Sequence, residues 1–77
     1  MAALKRQVHP VPDYVEQVLL DAQLMESYHR RPAYQRNDYV GWISRAKQPA
    51  TRNKRLDQML RELTAGDKYM GMDYSGQ

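Results

Sequence analysis

The sequence predicts a small all-helical domain, and three observations carry that reading. Apolar residues recur at helical spacing in three separate stretches. Pro32 and Pro49 separate the stretches, and Gly66 closes the last one. No strand-like alternation, internal repeat or low-complexity tract competes with them. The expected architecture is all-α, a three-helix bundle or an orthogonal three-helix array over residues 12–66. A flexible N-terminal arm (1–11) precedes it and a C-terminal tail (67–77) follows.

The arm holds Lys5, Arg6, His9 and Pro10 among few apolar residues. Pro12-Asp13 reads as a helix start, with Asp13 and Glu16 suited to the positive end of the helix dipole. Val15, Val18, Leu19 and Ala22 then share one face, which Met25 and Tyr28 extend, predicting a first helix over 13–29. Arg30-Arg31-Pro32 ends it, because a residue before proline avoids the α region.

A second helix is expected from Ala33 or Tyr34 to about Lys47, with Tyr39, Val40, Trp42, Ile43 and Ala46 as its apolar set. Gly41 within it costs about 1 kcal/mol of helix propensity, which points to close approach of another helix. Pro49 suits the first position of a third helix. Leu56, Met59, Leu60 and Leu63 form the cleanest stripe in the chain, and Gly66 is its left-handed stop. The tail is polar and punctuated by glycine, yet Tyr69, Met70, Met72 and Tyr74 make it adhesive: it folds back on the bundle or docks on a partner.

At 77 residues the chain accommodates one domain with a small core. It has no cysteine, which excludes disulfides and thiolate metal sites and agrees with a reducing cytoplasm. The start lacks the apolar segment of an export signal, and no run approaches the ~20 apolar residues of a membrane span. A soluble, cytoplasmic protein with no membrane association is expected. Six Tyr and no Phe mean that aromatic core residues carry hydroxyls needing water or a partner.

Charge is unevenly distributed. Residues 1–33 balance four basic against four acidic side chains, whereas residues 34–66 carry seven basic against three acidic, a net of +4. An anionic partner would meet the second half.

The junction between the second and third helices runs Asp38-Tyr39-Val40-Gly41-Trp42-Ile43-Ser44-Arg45-Ala46-Lys47-Gln48-Pro49-Ala50-Thr51-Arg52-Asn53-Lys54-Arg55-Leu56. It resembles the bacteriocin-protection, YdeI/OmpD-associated family of bacterial proteins in its Trp-Ile-x-x-Ala-Lys…Thr-Arg-x-x-Arg core, and the likeness extends from about Asp13 to Gly66. Ala50 stands where that family usually has Glu, and Asn37 where a basic residue is common. The resemblance implies a helical fold, a bacterial cytoplasmic setting and a link to bacteriocin or stress tolerance. No catalytic residues come with it.

Lys47, Arg52 and Arg55 form the leading candidate site. Arg52 lies four residues before Leu56 on the continuation of the apolar stripe, Arg55 at its edge, and Lys47 at the flank of the second helix's buried face. The three are expected to converge on the junction, with Trp42 as a stacking platform and the free N–H groups of the third helix nearby. A structural role leads over a ligand site: the two arginines would clip the bundle together through backbone carbonyls of the second helix, or by pairing with Asp38 or Glu26. Trp42 reads first as a core anchor.

The alternative is nucleic acid, with Arg45, Lys54 and Arg61 added to the basic set and Tyr34, Tyr39 and Trp42 offering stacking. Asp38, Asp57 and Glu62 interrupt that run. His9 and His29 stand far apart with no cysteine or carboxylate at ligand spacing, so no metal or cofactor is expected. Ser27, Ser44 and Thr51 have no recognisable histidine base, and no glycine-rich phosphate loop is present. The expected function is a non-enzymatic interaction module whose partner is another protein. Homo-oligomerisation is left open.

Overall fold

The computed structural model describes residues 10–73; the expected arm lies almost wholly outside this range, as does Tyr74. The described chain is mostly helical, with four helices and a short hairpin: α1 (Asp13–Asp21), α2 (Met25–Arg30), α3 (Ala33–Ser44), α4 (Pro49–Ala65), β1 (Lys68–Tyr69) and β2 (Met72–Asp73). Two features correct the three-helix expectation. The first predicted helix is split, and the segment after Gly66 is ordered on the helices as a hairpin.

The split occurs where sequence offers neither glycine nor proline. Gln23 adopts φ 60°, its N–H bonds the Leu20 carbonyl at 3.0 Å, and the Leu24 N–H bonds the Leu19 carbonyl at 2.9 Å. This pair of bonds is a Schellman ending, usually built on glycine. Leu24 then packs on the core that contains Leu19, supplying the hydrophobic contact that accompanies such endings. Continuous periodicity from Val15 to Tyr28 masked the break, because both halves face the same core.

The other boundaries follow local chemistry. Asp13 and Glu16 occupy the first turn of α1. Arg31 is extended (φ −72°, ψ 148°) ahead of Pro32. Pro49 opens α4, and Gly66 at φ 85° ends it, its N–H on the Glu62 carbonyl at 2.9 Å. The second predicted helix stops at Ser44 rather than near Lys47, with Arg45 as its cap.

Val15 and Leu19 of α1, Tyr28 of α2, Tyr39, Val40 and Ile43 of α3, and Leu56, Met59 and Leu63 of α4 form one buried cluster. Tyr39 is the largest side chain fully removed from solvent, so it holds the anchoring place expected of Trp42. Trp42 is half-buried at the edge of that cluster. Gly41 is buried within α3, which packs most extensively against α4.

β1 and β2 pair antiparallel, Lys68 opposite Asp73 and Tyr69 opposite Met72. Met70 (φ 52°) and Gly71 (φ 82°) form the two-residue turn, with both residues left-handed as a type I′ turn requires. Glycine accepts that conformation freely, whereas methionine does so only under constraint. That constraint comes from α4.

Candidate functional site: a cationic groove and a buried carboxylate on one helix

Helix α4 carries three kinds of surface. Leu56, Met59 and Leu63 face the core. Thr51, Lys54, Arg55, Gln58 and Arg61 recur at helical spacing along a neighbouring strip, and with Asp57 and Trp42 they line a groove of about 330 Å³. Lys54 and Arg61 are exposed, and Arg55 is half-buried.

Arg55 is held in place. Its Nη1 donates to the Trp42 carbonyl at 2.6 Å, and its guanidinium lies over the indole, 5.3 Å from the ring centroid. A hydrogen bond and a cation–π contact therefore fasten α4 to the last turns of α3. Arg52 takes another direction: its guanidinium lies 5.3 Å from the ring centroid of Tyr14, on α1. Lys47 and Arg45 are exposed beyond the end of α3, and neither lines the groove. The predicted convergence of Lys47, Arg52 and Arg55 is thus replaced by a different grouping. Arg55 and Trp42 are joined by Lys54 and Arg61, two of the three residues that the sequence added for the nucleic-acid alternative.

Beside the groove, α4 carries a buried acid. Glu62 is 6% exposed, and its carboxylate accepts from the Tyr39 hydroxyl, from Gln58 Nε2 at 3.0 Å, and from the backbone N–H groups of Met70 and Gly71, both at 2.8 Å. Burial pushes its carboxyl upward, but the four donors outweigh burial and hold it below the ordinary glutamate range. Tyr39 is displaced upward in turn, first by burial and then by its bond to the Glu62 carboxylate.

The surrounding polar groups complete this centre. Arg31 Nη2 donates to the Glu62 carbonyl at 3.0 Å, where α4 is ending and a cation is favourable. Its Nη1 donates to Gln35 Oε1 at 3.1 Å, and Gln35 Nε2 donates to the Tyr34 hydroxyl at 3.1 Å. Tyr69 donates its hydroxyl to Asp38 and stands edge-on to both Tyr34 and Tyr39, with centroids 5.9 and 5.6 Å away. No buried side-chain nitrogen or oxygen among the described residues lacks a partner. The Glu62 centre is a finished structural joint, with its carboxylate committed to Tyr39, Gln58 and the two hairpin amides.

Sequence reading missed Glu62 and Arg31. Glu62 lies one residue before Leu63, at the margin of the stripe, where a lone acid reads as solvated charge. Its principal partners are turn amides, which have no signature of their own. The one usable signal was Tyr39, a hydroxyl at a core position requiring an acceptor.

Among the described residues, no group of three or more His, Cys, Asp or Glu is placed to hold a metal ion. His29 is exposed at the end of α2, edge-on to Tyr28. None of the described helices is long and apolar enough to cross a membrane.

Comparison with curated proteins and with solved structures found no match. A family model, OmdA, described as bacteriocin-protection, YdeI or OmpD-associated, matches residues 9–66.

Proposed function

The chain belongs to the bacteriocin-protection, YdeI or OmpD-associated family, and from that premise we propose that it is a small, non-enzymatic helical module that binds another protein in the bacterial cytoplasm. The groove carries this reading. It combines a half-buried tryptophan, an arginine fixed against it and two exposed cations on one strip of α4. Aromatic and arginine side chains together are the composition favoured at protein interfaces. A role in bacteriocin or stress tolerance rests on the family description.

The test is affinity capture from bacterial lysate with the wild-type chain and with a Lys54→Ala/Arg61→Ala double variant, both verified as folded by circular dichroism. Repeated recovery of one protein by the wild type, and its loss with the variant, supports the module. Equal recovery by both chains refutes the groove as its binding face.

Nucleic acid is the second reading, favoured by the exposure of Lys54 and Arg61 beside Trp42. It requires affinity that falls steeply with salt, because each neutralised phosphate releases counterion. Polarisation titrations with short duplex and single-stranded DNA at two salt concentrations discriminate it from the first. A flat salt dependence removes it.

A further inference from the structure

One residue in the groove has the opposite sign. Asp57 lines it together with Lys54, Arg55 and Arg61. Its carboxylate lies 3.7 Å from Arg61 Nε, and both side chains are about 70% exposed. An exposed pair of this kind adds little to stability, so holding α4 together is a weak account of Asp57. Its effect on whatever enters the groove is stronger, because it places a negative charge among the cations.

Arg55 narrows the choice of ligand further. Its guanidinium lies over the indole of Trp42, which itself packs on the core. A nucleobase seeking to stack there meets a ring already covered. Among the described residues, one of the guanidinium's five N–H donors is committed, to the Trp42 carbonyl. The remaining fork can grip an oxyanion, carboxylate or phosphate, through two parallel bonds, so the covered indole and Asp57 decide between them.

Resting on the reading of this groove as the interaction site, we infer that its occupant is an acidic peptide segment, and that Asp57 is the specificity residue that disfavours nucleic acid. A peptide carries discrete carboxylates. One can sit against Arg55 and Lys54 while an uncharged residue passes Asp57. A nucleic acid strand carries a charge at every phosphate and brings one past Asp57 in any register. Arg61, paired with Asp57 in water, can exchange that partner for a ligand carboxylate.

The experiment uses the full chain and its Asp57→Asn, Lys54→Ala and Arg61→Ala variants. Polarisation at low salt is read with a fluorescein-labelled peptide in which glutamates are separated by uncharged residues, and with single-stranded DNA of matched charge. The wild type is expected to prefer the peptide. Asp57→Asn is expected to tighten DNA binding about fivefold and peptide binding by less than about twofold. Lys54→Ala and Arg61→Ala are each expected to weaken peptide binding by about threefold to fivefold.

Preference of the wild type for DNA, absence of peptide binding, or an equal response of both probes to Asp57→Asn overturns the inference. The lysate capture separates this failure from failure of the module. A partner still lost with Lys54→Ala/Arg61→Ala leaves the interaction face standing and removes only the Asp57 assignment. A partner retained by that variant removes the face itself.

Discussion

Glu62 and Arg61 are neighbours on α4, and they show how differently one helix can use charge. The Glu62 carboxylate is buried and receives four donors. Arg61 is exposed, and its internal partner is an equally exposed carboxylate at 3.7 Å. Charge that is buried and fully satisfied builds architecture, since losing one partner strands the others. Charge left in water with spare donors contributes little to folding and remains available to a ligand. Gln58 stands between the two regimes: it lines the groove and donates to Glu62.

The sharpest break in this comparison would come from Glu62→Ala. It strands the Tyr39 hydroxyl and two turn amides, so a loss of about 3 kcal/mol is expected in urea denaturation. The Met70 and Gly71 amides should then lose protection from hydrogen exchange. If stability were unchanged, Glu62 would belong with the surface charges. Tyr39→Phe is the milder version, expected to cost about 1.5–2 kcal/mol by removing a donor to a charged acceptor.

Stability should also depend on pH at both ends of the range. Glu62 titrates lower in the folded chain than in the unfolded one. Its contribution is therefore complete above the unfolded glutamate value of about 4.3 and is lost as pH falls through the folded value. Tyr39 titrates higher when folded, so its contribution is complete below the unfolded tyrosine value of about 10 and declines as pH rises beyond it. Thermal melts across pH should show a shoulder at each end, and Glu62→Gln should flatten the acid one. An acid shoulder unchanged in that variant would place the titration elsewhere.

Half-buried Arg52 and exposed Lys54 should give the smallest changes in stability. Arg52→Ala is expected to cost about 0.5–1 kcal/mol, the scale of a cation–π contact that still meets water, through loss of its place over Tyr14. Lys54→Ala should leave the melting temperature unchanged while weakening anion binding. Equal, negligible effects of both variants on stability and binding would show that α4 does not sort its faces in this way.

Much of the helical framework was legible in the sequence because its signals are local. Pro12-Asp13, Pro32, Pro49 and Gly66 act within a residue or two of where they stand, and the Leu56–Met59–Leu63 stripe needs only a helical period. The break at Gln23 was not legible, because its left-handed backbone is stabilised by Leu24 docking rather than by a residue that prefers that angle. The hairpin was half legible: adhesive residues were visible after Gly66, but the acceptor for their turn lies back on α4.

The groove was misdrawn for a related reason. Helical phase placed Arg52 and Arg55 near the core correctly enough, but it could not assign them to Tyr14 and Trp42 on different helices. Lys54 and Arg61 were not grouped with Arg55 and Trp42 because the flank of α3 that completes the groove is a tertiary fact.

The hairpin's attachments also bear on the order in which the molecule assembles. Glu62 reaches Met70 and Gly71 across eight and nine residues of chain, whereas Tyr69 reaches Asp38 across thirty-one. The first tie is available as soon as α4 exists; the second must wait until α3 and α4 have found each other. A two-stranded ribbon has little stability of its own, so it closes only on helices already in register. The hairpin can make both ties at once only when α3 and α4 are docked as they are here, so its closure depends on the correct placement of the helix pair.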